Sequence, residues 1–168
     1  MSAIPKLEQR PAQHFVARRL QVPIPFSQYL QPAWEEVGTW LEKQGATPSG
    51  PPIIRYLTID MATLLTIEVG FPVEKALEGD ERISVDVFPA GCYAISTYLG
   101  PYKGDGLIKA TGALLDWAQE HKITWDISNI DNVEWWRARC ESYVTDPEEE
   151  PDPGKWQTDL IFLTSGSH

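Results

Sequence analysis

The stretch "CYAISTYL" (residues 92–99) has a counterpart 77 residues earlier, "FVARRLQV" (residues 15–22). Overlaid, the two segments place Ala17 on Ala94 and Val22 on Leu99, and a helical pattern follows each of them. The same shift places Trp40 on Trp117 inside those helices. Because both the residues and the order of the elements agree, an internal duplication is the simplest explanation.

Each half of the chain shows one strand, one helix and then further strands. The predicted helices are "SQYLQPAWEEVGTWLEKQ" (27–44) and "DGLIKATGALLDWAQEH" (105–121), both with apolar residues at helical spacing. Downstream, "IIRYLTID" of the first half corresponds to "CESYVTD" of the second, and "LLTIEVGFPV" corresponds to "WQTDLIFLT". The predicted fold is α+β, with one antiparallel sheet, pseudo-twofold symmetry, two helices on one face and a groove between them.

The duplication also sets the expected boundaries. We expect residues 1–11 to be an N-terminal extension, residues 12–163 to be a single domain, and residues 164–168 to be a tail. The first half would run from about 12 to 75 and the second from about 82 to 163.

The second half carries an aromatic insertion, "ITWDISNIDNVEWW" (123–136), which contains Trp125, Trp135 and Trp136. Connecting segments usually consist of polar turn residues, so this composition predicts a wall or lid over an apolar site. Adjacent strand residues point to opposite faces. Trp135 is in phase with Glu141 and is therefore the favoured ligand contact, with Trp136 as the second candidate.

Composition excludes several classes of function. The net charge of −10 disfavours direct nucleic acid binding, which needs clustered basic residues. No apolar run is long enough to span a membrane, so a cytoplasmic protein is expected.

Cys92 and Cys140, the only cysteines, stand among apolar neighbours and are expected to be buried thiols. The histidines lack metal-ligand spacing, and neither a metal nor a cofactor is expected. The oligomeric state stays open.

Three segments resemble the GyrI-like small-molecule-binding domain, which also forms the effector-binding half of multidrug-sensing transcription activators. They are "FPAGCYAISTYLGPYKG", "ESYVTDPEEEPDPGKWQTDLIFL", and "IIRYLTID" followed by "LTIEVGFPV". The family usually has Glu where Asp159 stands, and no helix-turn-helix precedes the first strand here. Because that helix-turn-helix is missing, we expect a stand-alone member of the family rather than a DNA-binding regulator.

The resemblance also implies an apolar, aromatic pocket with a buried carboxylate that recognises lipophilic, aromatic and often cationic compounds. Its Glu-x-Tyr motif falls on Glu141 and Tyr143. From the residues alone, Glu141 is either an exposed strand residue paired with Arg137 or Arg139, or a buried functional group. If it is buried, its pKa should rise. Four more candidates complete the predicted site: Tyr56, Tyr98 and Tyr102 as ligand contacts, and Glu68 as a second acid.

Three functions follow from the resemblance. The first is a binding protein that sequesters or senses small molecules. The second is a metal-independent hydrolase of the cyclopropanoid cyclohydrolase type, which would detoxify DNA-alkylating compounds. In it Glu141, with Glu68, would deprotonate water, and a tyrosine hydroxyl such as that of Tyr143 would polarise the carbonyl that accepts charge. The third is a modulator of a DNA topoisomerase, for which the acidic run "DPEEEPD" (146–152) would mimic nucleic acid.

Overall fold

The structure, a computed structural model, describes residues 3–60 and 64–166. Within that part of the chain, no helix has the length and apolar character needed to cross a membrane. The helices are α1 (Leu30–Lys43) and α2 (Gly106–Glu120), and single 3-10 turns lie at Ser27–Tyr29 and Pro153–Lys155. The strands are β1 (Lys6–Arg10), β2 (Gln13–Val22), β3 (Ile53–Ile59), β4 (Leu65–Pro72), β5 (Ile83–Phe88), β6 (Gly91–Leu99), β7 (Ile127–Ile130), β8 (Val133–Trp136), β9 (Arg139–Tyr143) and β10 (Gln157–Leu163).

In the described part of the chain, the ten strands form one antiparallel sheet. Eight of them follow the order β1-β6-β10-β9-β3-β4-β2-β5, and β7 and β8 lie off this path, with β8 paired to β3 and β7 paired to β8. The order of the eight is symmetric about the boundary between β9 and β3, so each of them has a counterpart on the other side. At that boundary Ile54 pairs with Glu141 and Arg55 pairs with Cys140. The arrangement confirms the predicted fold class and its pseudo-twofold symmetry.

Both helices pack on one face of the sheet, which we call the helix face. The buried residues of α1 are Ala33, Val37 and Leu41, and those of α2 are Ala110, Leu114 and Ala118, which are the same positions after the 77-residue shift. Ala33 and Leu114 join one hydrophobic cluster with Ile54 of β3 and Leu160 of β10. The core of the domain therefore lies between the two helices and the centre of the sheet.

The opposite side of the sheet, the reverse face, carries smaller apolar clusters around Phe15, Ile53 and Tyr93. A cleft of about 250 Å³ lies on this face, and its lining includes Phe88, Tyr93 and Cys140. Cys140 and Cys92 are both buried and unpaired, as the sequence predicted.

Residues on both sides of the segment 12–163 make contacts with it. β1 lies in the predicted extension, yet it pairs with β6 and places Leu7 opposite Ala94. Its sequence, KLEQR, is almost entirely exposed, so the strand forms on an existing edge and has no apolar pattern of its own. At the other end of the domain, Thr164 is buried and its hydroxyl donates to the Cys92 carbonyl oxygen at 2.8 Å.

Candidate functional site

Glu141 lies at the centre of the helix face, where only 5% of it is exposed. It pairs with Ile54 on one side and with Leu160 on the other, both fully buried. Because side chains alternate along a strand, Arg139, Glu141 and Tyr143 of β9 share this face. Of the two alternatives for Glu141, the structure thus shows a buried carboxyl between the helices.

Two tyrosine hydroxyls donate to the same oxygen of Glu141. The Tyr143 hydroxyl lies 2.6 Å from Oε1, and the Tyr56 hydroxyl, which comes from β3, lies 3.0 Å from it. Burial raises the pKa of Glu141, and the hydrogen bond from Tyr143 and the charge of Arg139 oppose that rise. Burial and the nearby Glu141 also raise the pKa of both tyrosines well above the usual value. The cluster is therefore a carboxyl biased towards its neutral form and held by two neutral phenols.

Arg139 lies beside this cluster inside a cage of three aromatic rings. Its guanidinium carbon is 4.6 Å from the ring centre of Phe162, 4.7 Å from that of Trp136 and 5.3 Å from that of Tyr56. Desolvation by burial lowers the pKa of Arg139. Its Nε atom is buried and has no hydrogen-bond partner among the residues that the structure describes. The chain thus supplies its own cation to the aromatic surface next to Glu141.

A row of four aromatic rings connects the carboxyl cluster with the surface. The ring of Tyr143 packs edge-on against Trp34 of α1, with 5.5 Å between centroids, and against Tyr102, at 5.1 Å. Tyr102 in turn packs on Trp156 at 4.9 Å. The turn at Gly100-Pro101 directs Tyr102 into this row, where its hydroxyl donates to the Thr145 carbonyl oxygen at 2.5 Å.

Tyr98 lies on the same face, but its ring packs in the hydrophobic core. It is 5% exposed and belongs to the main hydrophobic cluster. Its ring packs so closely under the turn that a Cβ at Gly106 would come within 2.1 Å of the hydroxyl oxygen. Of the two tyrosines predicted to reach the groove, Tyr102 is in contact with Tyr143, and Tyr98 holds the turn.

The prediction that Trp135 is in phase with Glu141 is wrong. Trp136 is 3% exposed and packs against Phe162, whereas Trp135 is 44% exposed. The strand β3 contains an irregularity between Tyr56 and Thr58, beyond which it pairs with β8 rather than β9. Such a bulge shifts the alternation by one residue, so Trp136 and not Trp135 is in phase with Glu141.

The aromatic insertion forms a hairpin, β7–β8, closed by Asp131 and Asn132 with φ angles of 54° and 66°. The ring of Trp125 lies 5.8 Å from Trp136 and 5.7 Å from Phe162. The insertion therefore walls one end of the helix face with two of its three tryptophans.

The structure does not bring Glu68 to Glu141. Glu68 lies on the reverse face, fully buried, where its Oε1 is 2.7 Å from Nη1 of Arg55 and its Oε2 is 3.2 Å from Nη2 of Arg19. Ser84 donates a further hydrogen bond to Oε2 at 3.1 Å, and Arg55 also contacts Asp86 at 3.0 Å. Glu68 is thus a member of an ion-pair network, separated from Glu141 by the thickness of the sheet.

Sequence reasoning did not select Arg139 as a member of the site, nor Thr158. The hydroxyl oxygen of Thr158 is buried and has no partner among the described residues, and Thr158, on β10, stands opposite Tyr143 of β9. Alternation along "RCESY" was a signal that could have found Arg139, since it stands two residues before Glu141. Thr158 had no such signal, because its register opposite Tyr143 depends on how β10 pairs with β9.

Comparisons with known proteins agree with this architecture. The sequence profile of the GyrI-like small molecule binding domain matches residues 5–163. No curated protein is significantly similar to the chain in sequence. The EcmrR C-terminal domain superposes with a TM-score of 0.77 at 21% identity, covering 98% of both chains. In the EcmrR–DNA complex, by contrast, the chain spans only 58% of the EcmrR chain.

Two further solved structures share the fold. SAV2435 bound to tetraphenylphosphonium has a TM-score of 0.66 at 9% identity, covering 98% of this chain and 95% of that one. A hydrolase from Listeria innocua has a TM-score of 0.61 at 16% identity, covering 96% of this chain and 91% of that one. Since the family profile spans nearly the whole chain, the chain belongs to the GyrI-like small-molecule-binding domain family.

Proposed function

We propose that this GyrI-like chain binds lipophilic aromatic small molecules in the groove between α1 and α2, with Glu141 on the floor of the site. The observation that carries the proposal is the buried Glu141 carboxyl, which two tyrosine hydroxyls hold beneath a row of aromatic rings. A buried carboxyl costs free energy of folding, and acids with a shifted pKa are concentrated at functional sites.

The aromatic row gives the ligand both a path and a surface. Tyr102 and Trp156 are partly exposed at its outer end, and Tyr143 and Trp34 form its inner part. A flat ring that replaces Tyr102 against Tyr143 keeps the edge-to-face packing that these rings already make. The proposal therefore requires Tyr102 to move outward when a ligand enters.

The structural relatives support this proposal within limits. SAV2435 was solved with a lipophilic aromatic cation, which is a property of that protein. In this chain Arg139 already places a positive charge on the aromatic cage beside Glu141. The proposed ligand is therefore aromatic and lipophilic, and the relative's cation does not establish its charge.

A second candidate function is hydrolysis, which the raised pKa of Glu141 favours, because a general acid or base works best when its pKa lies near the operating pH. In its ionised form, Glu141 would accept a proton from water as the water oxygen bonds to a cyclopropane carbon. The broken carbon–carbon bond would release its electron pair to a conjugated carbonyl oxygen, which would then be protonated. Both tyrosines already donate to Glu141, so Arg139 is the buried donor left to polarise that carbonyl.

One experiment separates the two functions. The protein is incubated with a panel of aromatic cations, neutral polycyclic ketones and cyclopropane-bearing alkylators, and bound and free compounds are then identified by mass spectrometry. Retention of an unchanged compound supports binding alone, and a product heavier by one water supports hydrolysis. If no compound in the panel is retained or changed, both proposals fail.

A further inference from the structure

We propose that the ligand is uncharged and carries a hydrogen-bond-accepting oxygen, such as a ring ketone, which Arg139 binds through its Nε atom. This inference rests on the proposed function, because it names the chemical class of ligand for the same site. It assigns to Arg139 the role of selecting neutral over cationic aromatic compounds.

The first observation is that the place of a cation is already filled. Three aromatic faces surround the guanidinium of Arg139 at 4.6–5.3 Å. Tyr56 contacts both groups, with its ring against Arg139 and its hydroxyl bonded to Glu141. A cationic ligand at Glu141 would meet a like charge in a buried, poorly screened setting, where repulsion is stronger than in water.

The second observation is an unmet donor. Within residues 3–60 and 64–166 the Nε–H of Arg139 is buried without a partner, although buried polar groups are hydrogen-bonded in the great majority of cases. A buried donor of a charged group without an acceptor is costly, so an acceptor oxygen from a ligand would gain a strong, charge-assisted bond. A hydrocarbon ring or a quaternary cation offers no such acceptor.

The third observation is that a further unmet donor lies on the other side of Glu141. Thr158 Oγ1 is buried without a partner in the described part of the chain, and Thr158 stands opposite Tyr143. Tyr143 is four residues from Arg139 along β9, which corresponds to roughly 13 Å at the rise of an extended strand. The two donors thus lie towards opposite ends of the Glu141 cluster, as a long polycyclic ligand with acceptors at both ends would require.

A matched pair of probes tests the inference. The neutral ketone 10-methylacridone and the cation 10-methylacridinium share one ring framework and differ at the carbonyl. Dissociation constants are measured by fluorescence titration for the parent protein, Arg139→Met and Arg139→Lys, with circular dichroism to confirm the fold. Met approximates the length of the side chain without its charge, and Lys keeps the charge but moves the donor.

The parent should bind the ketone more tightly than the cation. In Arg139→Met the ketone should lose roughly tenfold to a hundredfold in affinity, the scale of one hydrogen bond to a charged group, and the cation should bind more tightly than to the parent. Arg139→Lys should weaken ketone binding but still disfavour the cation.

Two results would overturn the inference. If the parent binds the cation as tightly as the ketone, Arg139 does not select by charge, and the proposed binding function still stands. If the parent binds neither probe, the inference and the proposed function fail together for this ring class. The parent alone gives these results, so the test does not depend on the folding of either variant.

Discussion

The hydroxyl of Tyr143 donates a 2.6 Å hydrogen bond to Oε1 of Glu141, two residues earlier on the same face of β9. Tyr56 donates to the same oxygen from β3, the symmetry-related strand. One carboxyl oxygen therefore joins the two halves of the duplicated fold at their boundary. The site depends on both halves, and changes at either tyrosine should affect it.

Tyr143→Phe and Tyr56→Phe should each lower the free energy of unfolding by about 1–3 kcal/mol, because each removes a hydrogen bond to a buried carboxyl. Urea denaturation measures that loss, and fluorescence titration with a retained ligand should show weaker binding in both variants. Tyr93→Phe is the matched control, since it removes a 2.6 Å hydrogen bond to the Pro89 carbonyl oxygen on the reverse face. Ligand affinity that falls equally in the control would contradict the assignment.

The stability of the protein should depend on pH through Glu141, whose pKa burial raises in the folded state. Below the carboxyl pKa of the unfolded chain, about 4.3, both states are protonated and the full stability is present. As the pH rises, the unfolded chain ionises first, and stability is lost until the pH has passed the folded pKa.

Glu141→Gln should remove this pH-dependent loss, so the variant should be more stable than the parent at neutral pH. The difference in free energy of unfolding between Glu141→Gln and the parent should shrink as the pH falls towards 4. Urea denaturation of both proteins over that pH range measures this difference, and Glu148→Gln in the exposed loop is the control. Parallel pH profiles for the parent and Glu141→Gln would show that the carboxyl ionises as easily folded as unfolded.

Glu68→Gln should damage the fold and leave the ligand site intact. The change removes a charge that faces Arg55 at 2.7 Å in a fully buried position, and breaking such a pair costs about 3–5 kcal/mol. Thermal unfolding should show this loss, whereas ligand affinity below the transition should match that of the parent. Weakened ligand binding in a folded Glu68→Gln protein would mean that the reverse face takes part in the site.

The adjacent tryptophans provide a matched pair of substitutions. Trp136→Ala should cost about 3–5 kcal/mol, since it leaves a large cavity against Phe162 and Arg139. Trp135→Ala, at a position that is 44% exposed, should change stability far less. Quenching of tryptophan fluorescence by a bound ligand should survive in Trp135→Ala. A larger effect of Trp135→Ala on either measurement would contradict the register of β8.

The duplicated fold could be predicted from the sequence because the repeat keeps apolar residues at the helix positions that pack against the sheet. Ala33 and Ala110 occupy equivalent buried positions 77 residues apart, so the helical stripes were readable without any structure. The resemblance indicates Glu141 and Tyr143, whose role in ligand binding stays a prediction, and alternation correctly places them on one face.

Two errors came from features that leave no local pattern. The irregularity in β3 between Tyr56 and Thr58 exchanges the faces on which Trp135 and Trp136 lie relative to Glu141. No residue in β8 indicates this irregularity. Glu68 lies on the face opposite Glu141 because of its pairing with Arg55 across β3 and β4, which its local sequence does not reveal. The cage around Arg139 combines three strands, which sequence order does not reveal.

The most direct test of the central claim is a crystal structure of the protein with the most tightly retained compound of the panel. We expect the ligand to lie between α1 and α2, in contact with Tyr143 and Glu141, with Tyr102 moved outward. A ligand found instead in the reverse-face cleft, against Phe88 and Tyr93, with the Glu141 cluster unchanged, would contradict it.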